Sequence, residues 1–206
     1  VHHAEIDNNG QFTKKDQWIN TEDEPDHDGL CELEKRFLLK AIKEDIFFGS
    51  DANEGVAASA KMNMIIHDDG HTNVIASDGL LTDIELQEKS KNFEFKYNSF
   101  DFIITNPPFG SSIKQTEKAY LNQYNFGKRE LDWLNPKTEK LKYRPSQSTE
   151  VLFLEQCHRF LCEGGYVAVV IPDGILTNSS MQYVRDNLEE IFRIVAVVSM
   201  PQTAFS

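Results

Sequence analysis

The chain has 206 residues and a formal net charge of −12, with 40% hydrophobic and 26% charged residues. That suffices for one full domain with a sizeable core and an ordinary globular composition. No apolar run approaches the roughly eighteen residues of a membrane span, and nothing at the start resembles a signal peptide. Cys31, Cys157 and Cys162 form no CxxC pair and read as reduced thiols of a cytoplasmic protein.

The net charge argues against indiscriminate nucleic-acid binding, but it is unevenly spread. Residues 1–34 hold ten acidic and two basic residues, a net of −8, whereas residues 111–149 hold eight basic and four acidic, a net of +4. The sequence opens at Val1 rather than a methionine, as a fragment or a processed chain does.

Residues 1–29 lack helical or strand periodicity and read as an acidic loop or arm. Glu24-Pro-Asp-His-Asp-Gly29 imitates a calcium loop, yet Lys35 stands where the bidentate acid belongs, so the run reads as solvated loop. Leu30, Leu33, Phe37, Leu38 and Ile42 recur at helical spacing and predict an amphipathic helix over Leu30–Lys43. Ile46–Gly49 is a short apolar strand that closes at Ser50-Asp51. Ser50 or Asn53 can cap the helix that follows, which runs to Ile66 with Ala57, Ala60 and Met64 on its packing face. His67-Asp-Asp-Gly-His71 matches no usual metal-ligand spacing and reads as a helix-to-strand turn. Val74–Ser77 is the next strand, closing on Asp78, and a helix or loop over Leu80–Lys91 follows.

Phe102–Thr105 reads as a buried strand that stops at Asn106-Pro-Pro-Phe109-Gly110. The prolines stiffen that turn and bias Asn106 towards extended backbone. An amide, exposed carbonyls and an aromatic ring are thus fixed just past a strand's carboxyl end, where open α/β sheets bind ligands. The set suits a planar ring bearing an amino group. After the basic segment, a helix over Glu150–Leu161 is predicted, capped by Ser148 or Glu150 and ended by Gly164-Gly165, with His158 on its apolar face as a core or boundary residue. Tyr166–Ile171 is a strand stopped by Pro172-Asp-Gly174, Ser179 or Ser180 opens a helix through Glu190, and Ile194–Val198 is a last strand before Pro201. Strands alternating with helices predict a doubly wound, mostly parallel α/β sheet.

Asp51 and Asp78 each follow a strand. An acid there can accept from a ribose diol, and a second acid one strand along can accept from the exocyclic amine of an adenine. Either alone is common turn chemistry; with Asn106 at a third strand end, they line one edge of one sheet.

Asn106-Pro-Pro-Phe109 resembles the motif of DNA adenine-N6 methyltransferases of the class I, S-adenosylmethionine-dependent fold. Gly49-Ser-Asp51, Ala60-Lys-Met-Asn-Met-Ile-Ile-His67, Asp78-Gly-Leu-Leu81, Asn106–Gly110, Phe153-Leu-Glu155, Gly164-Gly165 and Val169-Val-Ile-Pro-Asp-Gly174 stand in family order. They resemble the modification subunit of type I restriction-modification systems over roughly residues 45–110 and 148–206. The resemblance implies Asp51 on the cofactor ribose and Asp78 on its adenine amine, with Gly79 and Leu80 beside it. It implies Asn106 and the Pro107 carbonyl on the target N6 amine, with Pro108 completing the turn and Phe109 stacking on the flipped base. It implies S-adenosylmethionine as cofactor, DNA as substrate, and separate specificity and restriction subunits as partners.

A duplex hides adenine N6, so the base must be extruded and stacked on an aromatic ring. Tyr120, Tyr124, Phe126, Trp133 and Tyr143 interleave with the positive charges of residues 111–149. That segment is either a nucleic-acid contact or a solvated insertion with a small satellite core. The family's glycine-rich loop, Asp-x-x-x-Gly-x-Gly, fits nothing in residues 1–29, and Asp45–Asp51 imitates it only in part. The expectation is therefore residues 30–206 as a partial Rossmann-like catalytic domain without its first and last strands. Such a domain is weakened, or repaired by direct pairing of the Phe47 and Phe102 strands or through another chain, and binds S-adenosylmethionine weakly or not at all. Transfer to RNA or to a protein glutamine is the alternative enzyme reading, against which Phe109 stands where those relatives more often have tyrosine. A non-catalytic subunit-docking module is the alternative outside enzymes. A nicotinamide dehydrogenase lacks its GxGxxG here.

Overall fold

In a computed structural model, the described residues are 5–6, 12–13, 34, 46–67, 73–114, 119–129 and 142–201. The predicted Leu30–Lys43 helix apart from the helical Glu34, the Glu24–Gly29 run, the residues after His67 in the His67–His71 turn, and Trp133 lie outside them. Two compact units are present: Val1–Phe48 with Ala60–Asn73, and Gly49–Ser59 with Val74–Ser206. The first contains an antiparallel pair, β1 (Glu5–Ile6) and β2 (Phe12–Thr13), with Ile6 opposite Phe12.

The second unit is mixed α/β with small parallel sheets. Strand β3 (Gly49–Asp51) pairs in parallel with β4 (Val74–Ala76), and β5 (Phe100–Thr105) pairs in parallel with β10 (Leu161–Val169). Two antiparallel pairs lie between β5 and β10 in sequence: β6 (Ser112–Lys114) with β9 (Ser146–Ser148), and β7 (Lys128–Arg129) with β8 (Lys142–Tyr143). The two parallel pairs share no ladder among the described residues, so the continuous doubly wound sheet is not formed and β3 does not pair with β5.

The helices follow local chemistry. Asn53 Oδ1 accepts the Gly55 and Val56 N–H groups at 2.9 and 3.2 Å and starts α1 (Glu54–Ile66). Thr82 and Glu85 form a reciprocal capping box at the head of α2 (Asp83–Ser90). Helix α3 (Thr149–Phe160) is the centre of the unit, burying Val151, Leu152, Leu154, Cys157 and Phe160. Around it pack Leu80, Ile113, Leu121, Tyr124 and Phe126, together with residues of α4 (Asp173–Thr177) and α5 (Gln182–Ile191). Phe95, Phe100 and Tyr97 surround Phe160 at centroid distances of 4.8–5.8 Å and tie the start of β5 to the end of α3.

Four expectations change. Gly164-Gly165 does not end α3, which stops at Phe160. The glycines form a bulge inside β10, where Leu161 opposes Phe100 but Tyr166 opposes Phe102. Gly164 takes φ +81°, and a Cβ on Gly165 would lie 3.0 Å from the Asp101 carbonyl oxygen, so this bulge needs glycine at both positions. Residues 194–198 form no strand, because no neighbouring strand among the described residues offers them a ladder. The strand expected at Ile46–Gly49 is shifted to Gly49–Asp51, where Val74–Ala76 supplies its partner. The Phe102–Thr105 strand is only half covered: Phe102 stacks on Tyr166, yet it and Ile104 are 71% and 86% exposed.

Candidate functional site

Strand β5 runs straight into the Asn106–Phe109 turn. Val170 N donates to Thr105 O at 3.1 Å, so the ladder holds to the last residue before the motif. Pro107 is buried, while Asn106, Pro108 and Phe109 are exposed. Gly110 takes φ +71°, a left-handed conformation that turns the chain back with little strain only at glycine. The chain is then caught by the head of α3. The Thr149 hydroxyl donates to Pro108 O at 2.9 Å, and Thr149 N donates to Ser111 O at 3.1 Å. The β6–β9 ladder, with Ile113 in the core, clamps the next residues. The amide and aromatic ring therefore project from a loop held at both ends.

The two acids stand at the carboxyl ends of neighbouring parallel strands. Ser77 N donates to Asp51 O at 2.9 Å and extends the β3–β4 ladder to the threshold of Asp78. Asp51 Oδ1 accepts from Asn53 N at 2.7 Å, and its second oxygen takes no protein donor among the described residues. Asp78 Oδ1 accepts from Leu80 N at 3.0 Å. Gly79 is tightly hemmed, since a Cβ there would lie 3.1 Å from Phe153 Cε1 and 3.2 Å from Ser50 Oγ. Two strand-end carboxylates beside a close-packed glycine are an acceptor set suited to the hydroxyls and amine of a nucleoside.

Sequence reasoning missed the residues that hold these loops. Ser148 precedes α3 as expected of a cap, but its buried hydroxyl has no hydrogen-bond partner among the described residues, and Thr149 is the residue that reaches the turn. Glu155 stood in a family motif without a role. Its buried carboxylate accepts from Asn125 N and Phe126 N, both at 2.9 Å, and from Arg159 Nη2 at 2.8 Å. Gln156 binds the loop after Asp78, at Gly79 O and Leu81 O.

The aromatic residues of the basic segment divide. Tyr124 and Phe126 are core residues, at 1% and 5% exposure, so they are not a nucleic-acid surface. Phe126 lies in the second of two short 3-10 turns, Ala119–Gln123 followed by Asn125–Gly127, and Tyr124 joins the two; both turns press onto α3. A cationic surface remains beside them. Arg144 stacks over the Tyr183 ring at 4.0 Å and donates to Lys128 O, and Lys128 reaches Asn125 Oδ1. His158 is an exposed residue set edge-on against Phe192 rather than a core one.

No helix among the described residues is long and apolar enough to cross a membrane. No curated protein matches the chain significantly. The family model described as N-6 DNA methylase matches residues 29–206, a span that holds the whole second unit with Asp51, Asp78 and the Asn106–Phe109 turn. The chain belongs to the N-6 DNA methylase family.

Proposed function

We propose that this chain is the partial catalytic domain of a modification subunit that carries out S-adenosylmethionine-dependent methyl transfer to the N6 amine of an adenine flipped out of DNA in a restriction-modification system, the chain by itself binding the cofactor weakly or not at all. The observation that carries the reading is the rigidly held Asn106–Phe109 turn at the end of β5, in the same compact unit as the strand-end acids Asp51 and Asp78.

When bound, S-adenosylmethionine supplies an electrophilic methyl group on a good leaving group, so the protein's task is positioning and charge stabilisation. Asp51 and Asp78 would hold its ribose and adenine amine, with Gly79 and Leu80 lining the same place. Asn106 Oδ1 and the Pro107 carbonyl accept the two hydrogens of the target amine. This draws the nitrogen lone pair out of ring conjugation and leaves it directed at the incoming carbon. Phe109 stacks on the extruded base and offsets part of the few kcal/mol that unstacking costs. As the new N–C bond forms, the sulfonium–methyl bond would break with its electron pair staying on the departing sulfur, and the nitrogen would lose one proton to water or to an acceptor in the turn.

The test is methyl transfer by the complete gene product, together with any subunits purified with it, from labelled S-adenosylmethionine. Duplex DNA, RNA and glutamine-containing peptides are offered as acceptors. Label recovered as N6-methyladenine in DNA is the expected result. Label only in RNA or in glutamine would replace the substrate class, and no transfer to any acceptor would favour a subunit-docking role.

A further inference from the structure

We propose that Tyr124 and Gln156 are positioning residues for the cofactor loop Asp78–Leu81, an inference that rests on the assignment of Asp78 above. Three successive carbonyls of this loop point into the core and are held by these two side chains. Gln156 Nε2 donates to Gly79 O at 3.0 Å and to Leu81 O at 2.7 Å, while Tyr124 Oη lies 2.7 Å from Leu80 O. Carbonyls only accept, so the amide can face them solely with its nitrogen, and its oxygen must turn to Tyr124 Oη at 2.8 Å. The tyrosine's one proton is shared between Leu80 O and Gln156 Oε1. Both side chains are at most 3% exposed, so water does not substitute for them.

Within the loop, Leu80 N donates to Asp78 Oδ1 and Leu81 N to Asp78 O, bonds that tie it to itself. With the carbonyls turned inwards, the Asp78 carboxylate is left at the half-exposed rim. Tyr124 belongs to the segment between the Asn106 turn and α3, and Arg159 caps its ring at 4.4 Å while pairing with Glu155. The segment that follows the target-base turn thus supplies a side chain to the cofactor's loop. Losing either residue frees the loop to sample other conformations, and the apparent affinity falls with the competent fraction.

The experiment compares Tyr124→Phe, Gln156→Met and Asp78→Ala in the complete gene product. Calorimetry reads S-adenosylmethionine affinity, steady-state kinetics read KM for cofactor and DNA separately, and hydrogen exchange reads the peptide over residues 77–82. Tyr124→Phe keeps the ring under Arg159, and Gln156→Met keeps chain length without donors. Each is expected to raise the cofactor Kd and KM by about ten-fold, one such factor per hydrogen-bonding group lost, with KM for DNA and saturating kcat unchanged and faster exchange over 77–82. A cofactor Kd that responds to Asp78→Ala but not to Tyr124→Phe or Gln156→Met overturns this inference alone. So does a fall in kcat with no change in either KM, which reports lost folded protein. Indifference of cofactor binding to Asp78→Ala overturns the loop's assignment, and this inference with it.

Discussion

Thr149 and Gln156 stand two turns apart on α3, about 10 Å along the helix at its usual rise, and each grips a different loop of the candidate site. Thr149 holds the Asn106–Phe109 turn and Gln156 the loop of Asp78. The relative position of the two loops is therefore set largely by one helix, which is itself the most deeply buried element of its unit. A helix anchored by Val151, Leu152 and Leu154 is a stiff ruler for chemistry that requires two molecules in line.

Thr149→Val tests the first grip. The change keeps the side chain's shape and removes the donor to Pro108 O, so the turn loses its side-chain link to α3 while the backbone bond from Thr149 N to Ser111 O remains. Adenine methylation is expected to slow about ten-fold, the equivalent of one hydrogen bond of about 1.4 kcal/mol. Cofactor affinity should hold, and Thr149→Ser should restore most of the rate. Equal rates for wild type and Thr149→Val would show that the prolines alone keep the turn in place.

Asn106→Ala addresses the amide. Asn106 is exposed and takes no part in the core, so the variant should fold with an unchanged melting temperature. Loss of an acceptor used mainly in the transition state is expected to lower kcat by about a hundred-fold or more, as for other single polar groups at reacting centres. The KM for cofactor should move little. A variant that retains wild-type kcat would remove Asn106 from the reaction.

How much of this was legible in the sequence depends on whether local chemistry or distant packing decides each feature. Asn53 before α1, Thr82 with Glu85 before α2, and the proline stop after β5 follow from neighbouring residues, and they form as local rules require. The acids after β3 and β4 were visible for the same reason. Tyr124 fitted both a nucleic-acid contact and a satellite core, because interleaved aromatic and basic residues look alike whether the rings face solvent or core. Its burial is decided by Leu80 and Gln156, 44 and 32 residues away. The Ile194–Val198 run has strand composition, but a strand exists only with a neighbour to bond, and composition does not reveal one. Gly164-Gly165 carried a break signal that was real but was spent on a strand bulge instead of a helix end.

Glu155→Ala and Gly127→Ala probe the arm that brings Tyr124 to α3. The first leaves two backbone N–H groups without their acceptor, at a cost of about 1–3 kcal/mol each where buried. The second places a Cβ 2.2 Å from Leu121 O, a distance that forces the two 3-10 turns apart. Both should lower the melting temperature by several degrees and speed hydrogen exchange over residues 119–129. Unchanged exchange there in Gly127→Ala would mean that the turns are not docked on α3 in solution.

Leu152→Ala and a Phe102→Thr, Ile104→Thr pair should differ sharply in stability. Leu152 is fully buried in the core, and its truncation is expected to cost about 2–5 kcal/mol. Phe102 and Ile104 leave most of their surface in solvent, so replacing both should cost under about 1 kcal/mol and raise solubility. Urea midpoints decide it, and comparable losses from the two changes would show that the outer face of β5 is covered in the folded protein.

Cys157 supplies a pH-dependent test of the same core. Burial within α3 pushes its thiol up from 9.0 to about 12, against a smaller opposing effect of a backbone hydrogen bond. The native state therefore keeps a proton that the unfolded chain releases above pH 9.0. Stability from this group is complete below that value and drains away as pH rises towards 12, because the unfolded state binds fewer protons throughout that window. The measurement is the urea midpoint between pH 8.5 and 11 for wild type and Cys157→Ala, the variant serving to subtract lysine and tyrosine titrations. Wild type should lose stability more steeply. Iodoacetamide at pH 8.5 should alkylate Cys157 only after unfolding, since the thiolate is the reactive form. Parallel midpoint curves with rapid native alkylation would place Cys157 at a solvent-open position and displace α3 from the centre of the core.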